Sequence, residues 1–345
     1  MSFADALIHQ AEACEGLGSA FTGQICRVIA ANLTPETALM RRLLDWPGDV
    51  SARGDSVPLR LAGALHGLVI DGSAPELAAL YPPNPAPSND ALWQAVRDVM
   101  QSHTARLDHW LDRPPQTNEI GRSACLIATA HWLAAQYDLP IILSELGASG
   151  GLNLNNDHYA LQAGATRLGA DNAALTLTPD WAGNPPEPAR IKVAHRRGVD
   201  LTPLDASNPD DALRLQAYLW PDQPERLART RAALHRPPAP VDRGDAADWL
   251  DSRLAKPMAG HLHLIHHTIA WQYFPPETSA RARRAIETAG AGVSTNAPLA
   301  WLRMEGDDQS PGAGMSVRLW PGDRYFDLGR IDFHGRWVDW RPRQG

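Results

Sequence analysis

The sequence is short of several features, and each shortage excludes a class of protein. Only three of its 345 residues are cysteine. Cys14, Cys26 and Cys125 are scattered and form no C-x-x-C pair, which argues against a disulfide framework or a structural zinc site and favours a reducing compartment. No apolar run approaches the roughly 20 residues that span a bilayer, and the N-terminus lacks the basic start and apolar block of a signal peptide. We therefore expect a cytoplasmic protein without a membrane partner.

The sequence also lacks an excess of basic charge. Its net charge is −7 at pH 7, whereas nucleic acids and anionic membranes require a basic surface. A small molecule is therefore the expected partner, and nothing in the sequence indicates an oligomeric state. The hydrophobic fraction of 44% is ordinary for a globular protein, and 345 residues leave room for two domains.

The first 138 residues have the apolar spacing of helices, and no convincing strand precedes Ile141. Thr117 or Asn118 is placed to cap the last of these helices. We predict an all-helical cap domain over residues 1–138.

Strands and helices alternate from residue 139 to residue 345, which predicts βαβ units and a mostly parallel sheet. The last four strand candidates follow one another without helices, so we expect an antiparallel C-terminal edge. Residues 159–190 have the pattern of short strands and loops inserted into this α/β domain. The acidic residues of "EGDDQSPGAG" (305–314) are expected to lie in a solvated loop.

The stretch "IILSELGASGGLNL" (141–154) carries the most specific pattern, a buried strand followed by a glycine-rich turn. The turn spells G-x-S-x-G, the elbow that presents a nucleophilic serine in hydrolases, which would make Ser149 the nucleophile. His334 and several aspartates follow, so the order Ser, Asp, His is available. An elbow, however, follows earlier strands of its sheet, whereas helices precede this one. A hydrolase is therefore kept as an alternative.

The same turn suits a ligand cradle, in which glycines let the backbone approach a bound cofactor. Glu145 ends the strand two residues before the first glycine. A carboxylate at this place suits a ligand with an amine, a sulfonium or ribose hydroxyls, and it suits a pyrophosphate poorly. The pattern favours S-adenosylmethionine over a dinucleotide, with Glu145, Gly147, Ser149 and Gly151 as cofactor-binding residues.

The run from Glu145 to Gly151 resembles the first motif of class I S-adenosylmethionine-dependent methyltransferases, with Ser149 in place of the middle glycine. The resemblance covers residues 140–340 and implies a Rossmann-like methyltransferase-type sheet. "RRGVDLTP" and "RGDAADWL" resemble the segments whose acids contact the ribose and the adenine amine, which implies Asp200 and Asp245 as cofactor contacts.

"LIHHTIAWQYFPP" resembles the fourth strand of that fold, whose end faces the methyl group. This implies His267 or His266 as a general base, since histidine titrates near neutral pH. The spacing His261-x-His263-x-x-His266 also occurs in metal-dependent hydrolases, but strand alternation puts His266 on the opposite face from the other two. We therefore predict no metal site.

The segment Thr117-Asn118-Glu119-x-x-Arg122 is either a capping motif or a cover for the cofactor. In the second case Arg122 pairs with a ligand carboxylate, Glu119 orients Arg122, and Asn118 is a further cofactor contact. The candidate substrate contacts are Glu119, Asn153, Tyr159, Trp271 and Tyr273. For aromatic side chains, packing in the core is the competing interpretation.

The chain as a whole resembles a bacterial domain-of-unknown-function family, DUF2332. The segments that carry this resemblance are "QTNEIGRSA" (116–124), "ELGASGGLNL" (145–154), "WPDQPERL" (220–227), "WQYFPP" (271–276) and "HGRWVDW" (334–340). The family supports a two-part architecture and implies no activity.

The leading prediction is a methyltransferase-like protein that acts on a small molecule. Its helical domain would close over the ligand, with Arg60 and His66 as possible substrate contacts. The alternatives are a ligand-binding or sensor protein that keeps the fold without chemistry, and a hydrolase that uses Ser149.

Overall fold

The structure is a computed structural model that describes all residues from Met1 to Gly345. The helices are α1 (Phe3–Gly16), α2 (Ala20–Asn32), α3 (Ala38–Leu44), α4 (Val57–Ile70), α5 (Pro75–Ala78), α6 (Asn89–Ser102), α7 (Thr104–Leu111), α8 (Ser123–Ala134), α9 (Pro209–Ala217), α10 (Pro224–Leu234), α11 (Ala246–Arg253) and α12 (Pro276–Ala291). The strands are β1 (Ile141–Leu146), β2 (Ala160–Ala163), β3 (Thr166–Gly169), β4 (Thr176–Leu177), β5 (Asp180–Ala182), β6 (Val193–Asp200), β7 (Val241–Arg243), β8 (Leu262–Thr268), β9 (Leu299–Glu305), β10 (Ala313–Trp320), β11 (Arg324–Ile331) and β12 (Trp337–Gln344). Short 3-10 helices lie at Ile120–Arg122, Leu152–His158 and Trp271–Tyr273.

The chain forms two compact units, a helical unit (residues 1–117 and 208–231) and a sheet unit (residues 118–207 and 232–345). This division differs from the predicted boundary at residue 138. α8 belongs to the sheet unit because it is buried on nearly every side and packs against β2 and β3. α9 belongs to the helical unit, where Ala217 joins the hydrophobic core.

The helical unit contains no strand, as the sequence predicted. Gly18, in the left-handed conformation at φ +90°, separates α1 from α2 within what looks like one apolar repeat. Asp222 accepts hydrogen bonds from the hydroxyl of Ser19 at 2.5 Å and from the amide of Phe21 at 2.8 Å. The carboxylate thus satisfies two hydrogen-bond donors at the start of α2. It also connects the segment of residues 208–231 to the rest of the helical unit.

The sheet unit contains a nine-stranded sheet in the order β5-β12-β11-β10-β9-β8-β1-β6-β7. The five strands from β9 to β7 in this order are parallel, and β9 to β12 form an antiparallel meander. The predicted α/β class, with a mostly parallel sheet after a helical region, is confirmed. The insertion at residues 159–190 forms a separate sheet from β2, β3 and β4, and its β5 pairs in parallel with β12 as the outermost strand.

The chain order of the parallel strands reverses at β1. β6 and β7 extend the sheet on one side of β1, and β8 and β9 extend it on the other. Ligands of open α/β sheets bind outside the carboxyl ends of the strands at such a reversal. Glu145, near the end of β1, pairs in register with Gly198 of β6 and His266 of β8. The fold therefore brings several of the predicted site residues to one edge.

One face of the sheet packs against α11 and α12. Its core includes Leu146, Ile265 and Trp301 from the strands, and Leu250 and Ile286 from the helices. The apolar residues recur at alternate strand positions, which directs them to the same face. None of the helices is both long enough and apolar enough to cross a membrane.

Two glycines bring the segment before α8 into backbone contact with the turn between β11 and β12. A Cβ on Gly121 would lie 2.1 Å from the carbonyl oxygen of His334, and one on Gly335 would lie 2.3 Å from the carbonyl oxygen of Gly121. We expect Gly121→Ala to lower the free energy of unfolding by about 1–3 kcal/mol, because backbone atoms cannot move aside as a side chain would. Denaturant unfolding measures this change.

Gly292→Ala is the matched control, since its nearest neighbour would be the carbonyl oxygen of Ala289 at 3.6 Å. Its stability should change by no more than about 0.5 kcal/mol. Equal effects of the two substitutions would contradict the proposed close approach.

Candidate functional site

The turn after β1 is built from left-handed residues. Gly147, Ser149 and Gly151 have φ values of +68°, +51° and +69°. Glycine adopts this conformation freely, whereas serine does so at a cost. A Cβ on Gly147 would lie 2.6 Å from the Cβ of Ala270, and one on Gly151 would lie 2.8 Å from Cγ2 of Val241. The two glycines therefore serve the turn and the close packing of the chain around it.

The amides of this turn are bound within the protein. Gly147 and Ala148 both donate to the carbonyl oxygen of Val199, at 2.9 and 3.1 Å. The amide of Ser149 donates to Oδ2 of Asp200 at 2.8 Å, and Thr202 donates to the other carboxylate oxygen at 2.9 Å. Asp200 thus lies next to the turn and holds it in place through these two bonds. The amides of Gly147, Ala148 and Ser149 are therefore not free to bind a pyrophosphate, which leaves side chains as the main contacts for a ligand here.

Glu145 is the most unusual residue of this edge. It is 2% exposed, and its Oε2 atom has no hydrogen-bond partner. Burial raises its pKa well above the ordinary value of 4.5, the neighbouring charge of Asp200 raises it further, and Arg122 opposes the shift only in part. Burial therefore favours the neutral form of this carboxyl group in the protein without a ligand.

Two more polar groups at this edge lack partners. His266, the register neighbour of Glu145 on β8, is fully buried and neither of its ring nitrogens forms a hydrogen bond. Burial lowers its pKa to about 3, with a smaller contribution from His267, so the ring is neutral. The hydroxyl of Ser149 is also buried and unpartnered. Unsatisfied buried groups are rare because each costs free energy, and a cluster of them is expected where a ligand or water binds.

His267 has its hydrogen-bonding capacity used within the protein. Its Nδ1 lies 2.6 Å from Oε1 of Glu305, and its Nε2 accepts a hydrogen bond from the indole of Trp301 at 3.1 Å. Because an indole can only donate, Nε2 carries no proton and Nδ1 donates to Glu305. The basic lone pair predicted to receive a substrate proton is thus occupied.

Glu305 is buried at the end of β9, so its predicted place in a solvated loop is wrong. The Oε1 atom of Glu305 also accepts the amides of Ala270 and Trp271, both at 3.1 Å. Burial acts to raise its pKa, but the hydrogen bond from His267, the charge interaction with that ring and the two amides together outweigh burial and hold the pKa below its ordinary value.

In the segment before α8 (residues 118–122), side chains accept hydrogen bonds from backbone amides, as helix-capping residues do. Oε1 of Glu119 accepts the amide of Gly121 at 2.9 Å, and Oδ1 of Asn118 accepts the amide of Leu152 at 2.9 Å. Asn153 accepts from the hydroxyl of Ser123 at 2.7 Å and donates to the carbonyl of Glu119 at 3.3 Å. These bonds join the segment to the 3-10 helix after the glycine turn.

Arg122 extends from the same segment to the carboxyl end of β8. It donates from Nη1 to the carbonyl oxygen of Thr268 at 3.1 Å and from Nε to that of Phe333 at 3.0 Å. Its charge influences Glu145. Arg122 is therefore a cation close enough to the buried carboxyl group to lower its pKa, and its predicted pairing with a ligand carboxylate stays a prediction.

The remaining predicted residues are not brought to this cluster by any hydrogen bond. Asp245 caps α11 by accepting the amides of Ala247 and Asp248, and it also binds Thr278. Tyr159 is fully buried and donates to the carbonyl of Leu152. Trp271 stacks on His267 with 4.8 Å between ring centroids, and Tyr273 is 71% exposed.

Arg60 and His66 are engaged inside the helical unit. Arg60 donates to the carbonyls of Asp55 and Leu111. His66 is within hydrogen-bond distance of the carbonyl of Ala217, and burial lowers its pKa to about 4. No group of three or more His, Cys, Asp or Glu side chains is arranged to hold a metal ion.

Glu145 and Glu305 make a matched pair for testing these electrostatics, because both are buried carboxyl groups with opposite pKa shifts. The raised pKa of Glu145 means that the unfolded chain ionises first, so the wild type loses stability as pH rises above about 4.5. Glu145→Gln should therefore be more stable than the wild type at pH 7, by about 1.4 kcal/mol for each unit by which the folded pKa is raised between 4.5 and 7.

Glu305→Gln should have the opposite effect. Since the pKa of Glu305 is lowered in the folded state, its ionised form stabilises the protein above about pH 4.5, and this contribution disappears as pH falls through the folded pKa. We expect a loss of about 1–3 kcal/mol at pH 7 that shrinks in acid. Denaturant unfolding at several pH values measures both variants. Destabilisation by Glu145→Gln at pH 7 would show that the carboxyl group is ionised in the fold.

Comparison with known proteins agrees with the resemblance noted in the sequence. The family model described as an uncharacterized protein conserved in bacteria (DUF2332) matches residues 4–340. No curated protein and no solved structure matches the chain. The family match spans both units and assigns no activity. The chain belongs to the DUF2332 family of uncharacterized bacterial proteins.

Proposed function

We propose that the protein binds S-adenosylmethionine at the carboxyl end of β1 and transfers its methyl group to a small molecule. The observation that carries this proposal is the buried and partly unsatisfied carboxyl group of Glu145 at the reversal of the sheet, where burial raises its pKa. A ligand with an amine and a sulfonium would let this group ionise against a cation, which converts an unfavourable burial into an ion pair.

The strand order supports a Rossmann-like fold of the methyltransferase type. Numbered along the parallel strands alone, the order β7-β6-β1-β8-β9 corresponds to 3-2-1-4-5, the order of doubly wound nucleotide-binding sheets. The antiparallel strands continue from the β9 side. This order supports placing the ligand at the edge of the sheet where Glu145 lies.

The side chains at this edge fit a cationic nucleoside better than a dinucleotide. Glu145 and Asp200 are acidic, and the amides that would bind a pyrophosphate already donate to Val199 and Asp200. We assign Glu145 to the cation and Ser149, with its unpartnered hydroxyl, to a polar group of the same ligand. Bound S-adenosylmethionine supplies an electrophilic methyl group, while the chain binds, orients and excludes water.

A second candidate function is binding without chemistry. The observation that favours it is the state of the two histidines predicted as bases. His267 gives its lone pair to Trp301, and His266 is fully buried with a pKa of about 3. A sensor requires the ligand contacts of Glu145 and no base. Methyl transfer to a thiolate or another acceptor that is already deprotonated also requires none.

Isothermal titration with S-adenosylmethionine and with its demethylated product tests the proposal. We expect saturable binding of at least one ligand together with proton release, because Glu145 gives up its proton to the solvent as it meets the cation. The release is read from the binding heat in buffers of different ionisation enthalpy at about pH 6.5, where the ligand amine is already protonated. Glu145→Gln should weaken binding at least about tenfold, or 1.4 kcal/mol, and abolish the proton release.

Glu187→Gln, on the exposed surface of the sheet unit, is the control that should change neither quantity. Absence of binding for both ligands would remove the cofactor assignment. Binding that is unaffected by Glu145→Gln would remove this carboxyl group from the site.

The hydrolase alternative predicts a different pattern for Ser149. The left-handed φ of +51° at Ser149 is compatible with a nucleophile elbow, but its hydroxyl has no histidine partner. We expect no esterase turnover that depends on Ser149. If Ser149→Ala abolished hydrolysis of a nitrophenyl ester while leaving cofactor binding intact, Ser149 would be assigned as a nucleophile rather than as a ligand contact.

A further inference from the structure

A cavity lies at the edge of the sheet opposite to Glu145. Its volume is about 690 Å³, and it opens between α11 and α12 at the amino ends of β8 and β9. Because β1 and β8 are parallel, this edge is remote from Glu145, which lies at a carboxyl end. Cavities of roughly 300–1,000 Å³ are of the size that encloses small organic ligands. None of the residues assigned to the cofactor lines this cavity.

The walls of the cavity are largely apolar and continuous with the core. The apolar lining residues include Leu250, Leu254, Ala285, Ala289, Val293 and Leu299. All six belong to, or pack against, the hydrophobic cluster between the sheet and the two helices. The exposed Met258 lies at the same cavity. Such a surface favours a ligand with an apolar body.

A chain of hydrogen bonds from Arg253 through Ser144 to His263 leaves one N–H group of His263 available at the cavity wall. Arg253 donates from Nε to Oγ of Ser144 at 2.9 Å, and Oγ lies 2.8 Å from Nε2 of His263. The guanidinium can only donate, and the buried hydroxyl of Ser144 has no other hydrogen-bond partner, so its own hydrogen is satisfied by donation to Nε2. His263, which lines the cavity, therefore carries its proton on Nδ1. Burial, with the charge of Arg253, lowers its pKa to about 3, which agrees with a neutral ring.

Two cations of the cavity have no acidic partner. Lys256 and Arg284 both line it, and neither has a carboxylate within 4.0 Å. Arg281, the third lining cation, differs because it is paired with Asp248 and with Asp251 at 3.6 Å. Unpaired positive charge beside an apolar wall attracts a ligand that carries an anionic group.

We propose that this cavity binds a small amphipathic carboxylate, with its chain along α11 and α12 and its head group toward Lys256 and Arg284. The head group, or a second oxygen of the ligand, accepts the Nδ1 hydrogen of His263. The inference does not depend on the proposed function, because the two sites lie at opposite edges of the sheet and share no assigned residue.

Titration calorimetry with decanoate, below its micelle concentration, tests the site on the full chain. We expect saturable binding with a Kd below about 1 mM. Decanol and decyltrimethylammonium, which keep the chain but lack the negative charge, should bind at least tenfold more weakly. Equal affinity for the three probes, or no saturation by decanoate, would overturn the proposal.

Two variants locate the binding. The double substitution Lys256→Glu with Arg284→Glu reverses the local charge at exposed positions and should weaken decanoate binding at least tenfold. Ala289→Trp should fill the cavity and have a similar effect, provided that its thermal unfolding remains cooperative. Arg190→Glu, an exposed cation that does not line the cavity, should leave binding unchanged.

Equal losses in Arg190→Glu and in the double variant would show a nonspecific charge effect and overturn the site. Titration of the double variant with S-adenosylmethionine should give the wild-type result. This comparison separates failure of the carboxylate site from failure of the proposed cofactor site.

Discussion

A carboxyl group without a fixed counter-ion is the constraint on which the candidate site depends. Glu145 is enclosed at the carboxyl end of the central strand, and one of its oxygens has no partner. Burial keeps such a group neutral and makes it unfavourable to ionise. The fold tolerates this cost at the edge where open α/β sheets bind their ligands. Functional sites often retain unfavourable groups of this kind because ligand binding satisfies them.

The turn beside Glu145 explains why side chains, rather than backbone amides, would contact a ligand at this edge. Its left-handed residues direct the amides back to Val199 and to Asp200, which leaves the turn rigid and its donors occupied. Asp200 therefore has two effects, since it holds the turn and its charge also raises the pKa of Glu145. The arrangement differs from a phosphate-binding loop, in which amides remain open to an anion. A cation recognised by carboxyl groups is the ligand class that agrees with both effects.

Local patterns were sufficient to predict much of the sheet unit. The buried strand ending in Glu145 and the glycine turn follow from residues close in sequence, whereas Asp200 is implied only by the resemblance of its segment to the methyltransferases. Pairings between distant elements could not be predicted in the same way. The bond from His267 to Glu305 depends on the register of β8 and β9 and on how far β9 extends. The inclusion of residues 208–231 in the helical unit likewise depends on tertiary packing.

The protonation state of Glu145 is the central claim, and infrared difference spectroscopy measures it directly. The wild type minus Glu145→Gln spectrum at neutral pH should contain the carbonyl band of a protonated carboxylic acid. Addition of S-adenosylmethionine to the wild type should replace this band with carboxylate bands, because the buried group ionises against the cation. A carboxylate signal from Glu145 in the protein without ligand would contradict the account, and so would a protonated band that the ligand leaves unchanged.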